Sequence, residues 1–118
     1  MQKVAVQTSP PADELPIGRR VRLKAQVRYG VGDDLAIGYA VDLSISGLGL
    51  IGSQRFAPGT RVRVLLHLHT HPEEVLELIA IVRYSSRLRI GLAFVDVSVE
   101  LERKLLDCIT TAENISRK

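Results

Sequence analysis

The chain has 118 residues, 46% of them hydrophobic and 25% charged, and a formal net charge of +3. A single domain of this size buries about two-thirds of its unfolded surface, so no disulfide or metal is needed to hold it, and this composition excludes a wholly disordered chain. The modest positive charge, carried mostly by arginine, permits an anionic partner without requiring one.

Residues 1–17 read as a flexible leader, because Pro10, Pro11 and Pro16 interrupt any regular structure. The opening Met1–Gln7 has no apolar stretch of signal-peptide length. The longest uniformly apolar run, Leu78–Val82, is far shorter than the ~20 residues of a membrane helix. The single cysteine, Cys108, has no partner within the chain, as suits a reduced compartment. A cytoplasmic protein without membrane insertion is expected.

From Val21 the pattern has period two. Val21, Leu23, Ala25, Val27 and Tyr29 alternate with Arg22, Lys24, Gln26 and Arg28, which predicts a half-buried strand. A glycine-rich turn at 30–34 leads to a second strand, from Ala36 to Leu43. Ser46-Gly47 turns into a third, Leu48 to Ile51, and Pro58-Gly59 marks the next reversal. In the fourth strand Val62, Val64, Leu66 and Leu68 share one face, while Arg61, Arg63, Leu65, His67 and His69 share the other. Val75 to Tyr84 predicts a fifth strand, with the least regular alternation, and Arg89 to Val95 a sixth.

The chain then changes period. Ser98 is placed to cap a helix whose first turn holds Glu100 and Glu102. Leu101, Leu105, Cys108, Ile109 and Ala112 recur at three- and four-residue steps, an apolar stripe that must pack on something. Six short strands and one helix predict a mainly β domain over 18–113, an antiparallel barrel or sandwich, with residues 114–118 as a tail.

The most informative stretch is Asp42-Leu43-Ser44-Ile45-Ser46-Gly47. In extended backbone Asp42, Ser44 and Ser46 project from one accessible face, and Val41, Leu43 and Ile45 turn to the core. Gly47 permits a tight turn or the close approach of a ligand. A carboxylate accepts hydrogen bonds, and a hydroxyl accepts or donates, so the row suits the edge of a guanine.

An Arg19-Arg20 pair opens the first strand, D-L-S-I-S-G-L-G-L spans positions 42–50, and Arg89-Ile90-Gly91-Leu92-Ala93-Phe94-Val95-Asp96 leads into the terminal helix. In order, spacing and strand position these resemble the PilZ domain family over about residues 19–112. The resemblance implies a six-stranded antiparallel β-barrel with a C-terminal α-helix and no catalytic residues. It implies cyclic di-GMP as ligand, held by an R-x-x-x-R segment and a D-x-S-x-x-G strand, with a downstream protein partner. Carried over by position, the ligand-binding residues are Arg20, Asp42, Ser44 and Gly47, with Arg19 beside them. Arginine's planar fork grips a phosphate or the O6/N7 edge of guanine. This chain departs from the pattern in having Pro16 at the first arginine position. That departure motivates a second expectation, an interaction adaptor that has kept the barrel and lost the nucleotide.

Other chemistry finds less support. His67, His69 and His71, with Glu73 or Glu74, offer donors for zinc or nickel only if the turn folds back on its strand, so no metal is expected. No serine or cysteine sits in a nucleophile elbow, and no glycine-rich loop leads into a helix, which argues against an enzyme. Single-stranded nucleic acid needs stacking rings, and the chain has no Trp, two Phe and three Tyr.

Overall fold

The computed structural model describes residues 20–67 and 73–116, with side chains as far as Glu113. Leader residues 1–17, together with Arg19, Leu68, His69 and His71, lie outside the described residues. Six strands appear in chain order: β1 (Val21–Gly30), β2 (Ala36–Leu43), β3 (Gly47–Gly52), β4 (Arg61–His67), β5 (Val75–Ser85) and β6 (Ile90–Val95). One helix follows, α1 (Val99–Ser116). All pairings are antiparallel, and the strands close in the order β1-β2-β3-β6-β5-β4. The ring closes where Val27–Gly30 of β1 pairs with Arg63–Leu66 of β4. Each strand has a neighbour on both sides, so the six strands present no unpaired edge.

Alternation explains the core. Val27 and Tyr29 of β1, Val64 and Leu66 of β4, and Leu78 and Ala80 of β5 are all buried inside the ring. Between them Arg28, Leu65 and Ile79 point outward or stand at the boundary. Tyr29 is the largest interior side chain. Its ring meets Phe56 edge-on at 5.9 Å. Its hydroxyl donates to the Gln54 carbonyl and accepts from the Gln54 N–H at 3.0 Å. Burial raises the Tyr29 pKa above its ordinary value, with the Gln54 backbone hydrogen bond acting in the opposite direction. That phenol therefore pins the 53–60 connection onto the barrel.

The helix begins as the cap residue dictates. The Ser98 hydroxyl accepts from the Leu101 N–H at 3.1 Å, and the Ser98 carbonyl accepts from Glu102 at 2.9 Å. The apolar stripe packs inward: Leu105 and Ile109 are buried in the same cluster as the barrel core, with Leu101, Cys108 and Ala112 packed beside them. Burial also raises the Cys108 thiol pKa, with Asp107 adding to the effect. Lys104 bonds to Glu74 at 2.8 Å, which ties the helix to the segment before β5.

The Leu105→Ala substitution removes the fully buried anchor of α1 and is expected to cost about 2–5 kcal/mol. Leu106→Ala, at a 41% exposed position one residue away, is expected to change stability by less than about 0.5 kcal/mol. Urea unfolding of the two variants measures the contrast.

Candidate functional site

Asp42 occupies its position because β2 breaks its own period. At strict alternation it would share the inward face with Gly38 and Ala40, both buried. Ala40 pairs with Leu50, however, whereas Asp42 pairs with Gly49, so β2 carries one extra residue at Val41. The bulge turns Val41 and Asp42 toward the same outer cleft, and Leu43 returns to the core fully buried. Val41 was expected in the core and instead lines the cleft. A matching irregularity in β1, between Arg22 and Ala25, keeps the two strands in register with Arg22 opposite Asp42.

Two arginines meet on that carboxylate. Arg20 Nη1 donates to Asp42 Oδ1 at 2.7 Å, and Arg89 Nη2 pairs with Oδ2. The Gly49 N–H donates to Oδ1 at 3.0 Å. The Asp42 side chain is only 8% exposed, against 37% for Arg20 and 44% for Arg89. A carboxylate so far out of water needs such charge-assisted partners, and here both oxygens have one. Around it lies a cleft of about 360 Å³ lined by Arg20, Val21, Arg22, Val41, Asp42 and Arg89. Arg22 makes no hydrogen bond or ion pair among the described residues.

The glycines of the motif serve this geometry in different ways. A Cβ on Gly49 would lie 3.0 Å from both Arg89 Nε and Asp42 Oδ1, so the bare backbone there is what lets Arg89 cross to the carboxylate. A Cβ on Gly47 would collide with the Leu92 carbonyl oxygen. The close approach at Gly47 is thus to β6, where it pairs with Ala93.

Ser44 differs from the sequence expectation of an accessible acid–hydroxyl row. It is fully buried. Its N–H donates to the Gly47 carbonyl at 2.9 Å, and its hydroxyl lies 3.0 Å from Ser46 Oγ and accepts from the Ser46 N–H at 3.2 Å. The chain leaves extended geometry at Ser44 to turn through Ile45-Ser46, so period two does not carry past Leu43. The structure therefore brings Arg20 and Asp42 together, sets Ser44 into the adjoining turn and places Gly47 at the start of β3. Arg19 lies outside the described residues. Arg89 was legible only as the start of the last strand. Nothing local marks it as a partner of Asp42, because their meeting is set by the β3–β6 register, in which Gly49 faces Gly91.

The PilZ domain model matches residues 18–111 of this sequence. The chain belongs to the PilZ domain family. Its fold is similar to the PilZ domain of YcgR from Escherichia coli, a structure described as containing c-di-GMP, at 19% identity and a TM-score of 0.73, covering 84% of this chain and 92% of that one. It is also similar to the PilZ domain of CeSA from a cellulose-synthesizing bacterium, at 18% identity and a TM-score of 0.64, covering 80% and 98% respectively. The Bacillus subtilis inhibitor of motility MotI/DgrA matches at 17% identity and a TM-score of 0.67, over 80% of this chain and 49% of that one. No curated protein matches the sequence. PilZ domains are ligand-binding or adaptor modules, and the barrel here has their fold. No helix among the described residues is long and apolar enough to cross a membrane.

Substituting either glycine should separate barrel from site. Gly47→Ala meets backbone and is expected to cost about 1–3 kcal/mol of stability. Gly49→Ala meets only the mobile end of Arg89 and the Asp42 carboxylate, so the same thermal-unfolding assay should show a smaller loss while Arg89 is pushed off its partner.

Proposed function

We propose that this PilZ domain is a cytoplasmic receptor module for cyclic di-GMP that acts by binding, without catalysis, and passes the signal to a protein partner. One observation carries the reading: Arg20 and Arg89 converge on Asp42 in a cleft that Arg22 also lines. Three guanidiniums and one carboxylate leave the cleft at +2, which matches a ligand with two phosphates. Guanidinium forks grip phosphate or the O6/N7 edge of guanine bidentately, and Asp42 accepts from the N1 and N2 donors of the same base. Arg89 supplies, from the turn before β6, a second guanidinium where Pro16 leaves the arginine segment short. The similarity to a YcgR domain described with c-di-GMP supports the same ligand class. In this reading Gly47 and Ser44 act at one remove, by shaping the turn that presents Asp42, and Arg19 adds charge beside Arg20.

A second reading is favoured by the Ser44 hydroxyl, which is engaged within its own turn. On that reading the domain is an adaptor that holds a protein partner without nucleotide. A pull-down that recovers the same partner with and without cyclic di-GMP, from a domain that does not bind it, would select this alternative.

Calorimetric titration tests the first reading. Saturable binding near the micromolar range is expected, worth about 8 kcal/mol. Arg20→Ala and Arg89→Ala should each weaken it by about 10- to 100-fold, the range of a charge-assisted hydrogen bond. Asp42→Ala should weaken it as well. Absence of heat at ~100 μM ligand, well above that range, would overturn the reading.

A further inference from the structure

Apolar side chains stand on two outer walls of the barrel, and the two walls treat them differently. Across β4 and β5, Leu65, Ile79 and Ile81 are half-buried, and the charged residues around them pair off. Arg63 meets Glu77 at 3.3 Å and Asp33 at 3.6 Å, and Arg61 meets Asp96 at 3.4 Å. Across β2 and β3 the apolar side chains lie open. Ile37 and Tyr39 alternate with buried Gly38 and Ala40, so period two sends both outward. Tyr39 pairs with Ile51 of β3, and Ile37 stands two residues along β2 on the same face. Ile37, Tyr39 and Ile51 are 55%, 48% and 51% exposed. Exposed apolar side chains scattered singly are ordinary, but three adjoining on one face form a patch that calls for a cover.

The border of the patch is cationic. The outward row of β1 is Arg22, Lys24, Gln26 and Arg28, with Arg28 opposite Ile37 and Gln26 opposite Tyr39. Arg28 makes no hydrogen bond or ion pair among the described residues, and neither does the Tyr39 hydroxyl. The one acid in β1, β2 and β3 is Asp42, which Arg20 and Arg89 already neutralise. This border selects a negatively charged cover. A second copy of the chain would bring a like-charged wall, each chain being net +3. An anionic bilayer takes up apolar side chains that protrude into it, whereas these stand along strand walls. Shape narrows the choice further. β2 is paired on both sides, so no backbone edge is open to an added strand, and docking must use side chains. β1 and β3 lie two spacings of ~4.8 Å apart, close to the ~10 Å width of an α-helix.

We infer that the outer wall of β1, β2 and β3 is a docking surface for an acidic amphipathic helix of a partner protein. The helix lies along β2, with its apolar stripe on Ile37, Tyr39 and Ile51 and its carboxylates toward Arg28. The inference deepens the reading of this domain as one that contacts a protein partner and rests on that part of it, with or without nucleotide. Isoleucine and tyrosine flanked by arginine make a dry centre with a charged rim, the arrangement of a specific protein interface. The patch adjoins the cleft, since Val41 stands two residues beyond Tyr39 on β2 and lines it. A helix seated on Tyr39 therefore lies beside whatever fills the cleft.

The test uses the whole chain and two synthetic peptides of about 18 residues, each stapled into a helix with a leucine stripe, one bordered by glutamate and the other by lysine. NMR follows the methyl groups of Ile37 and Ile51 and the ring of Tyr39. The glutamate peptide is expected to bind saturably and shift all three, and the lysine peptide to leave them unmoved. Tyr39→Ala and Arg28→Glu should each weaken the glutamate peptide by about tenfold. Leu106→Ala, at an exposed apolar position on α1, should leave its affinity within about twofold. Absence of binding by the glutamate peptide, equal binding of both peptides, or binding that leaves the three signals in place overturns the proposal. In the first case, capture by phosphatidylglycerol vesicles that Tyr39→Glu abolishes would make the cover a lipid surface, and a dimer that Tyr39→Glu dissociates would make it a second copy. Calorimetry with cyclic di-GMP runs alongside. Nucleotide binding without peptide binding overturns the docking surface and leaves the receptor reading standing. Peptide binding at the three residues without nucleotide binding sustains the docking surface and sets the receptor reading aside.

Discussion

The site depends on a carboxylate that a sealed barrel cannot hold inside. Interior positions of this ring are filled by Leu, Val, Ile, Ala and one tyrosine, and an unpaired charge among them would cost several kcal/mol. Asp42 stands at an inward step of β2, next to Ala40 and Gly38. The single extra residue at Val41 resolves the conflict by rotating the acid outward, where Arg20, Arg89 and the Gly49 N–H satisfy it. Without that bulge the two arginines would have no common partner and the cleft would not have its present lining.

The glycines then decide what can approach. Gly47 brings β3 against the Leu92 carbonyl, Gly49 leaves room for Arg89, and Gly91 leaves room for Tyr84. Each looks alike in the sequence, yet one serves the barrel and two serve its outer wall. The turn residues Ser44 and Ser46 belong to the first group. Their mutual hydrogen bond closes the β2–β3 connection and fixes the direction from which Asp42 leaves the strand. A motif that reads as one continuous row is, in three dimensions, one cleft-lining carboxylate on a structural support.

Much of the fold was legible because burial imposes period two on a closed sheet. The bounds expected for the second strand agree with β2, and the alternations read in the first and fourth strands reappear in β1 and β4. The helix was legible from Ser98 and the Leu105–Ile109 stripe. What escaped were one-residue slips. A bulge adds no characteristic residue type, and at Val41 and Arg83 it shows only as an alternation that fails near a strand end. Arg89 escaped for another reason. Its partner is chosen by which strands neighbour each other around the ring, and β6 lies beside β3 rather than beside the end of β2. Sequence spacing carries no trace of that choice.

The cleft contains an anion of its own, Asp42, and this bears on how it would take up another. With Asp42 between them, Arg20 and Arg89 are held in place before any ligand arrives, so less side-chain freedom is lost on binding. The same pairing opposes capture, since an incoming phosphate competes with a carboxylate that two forks already grip. A lone phosphate gains little from that exchange. A ligand carrying both phosphate and a base that donates to Asp42 keeps the carboxylate satisfied while the arginines turn outward. Under the proposed receptor reading, this exchange would favour a guanine nucleotide over a simple anion, through the carboxylate that both arginines grip.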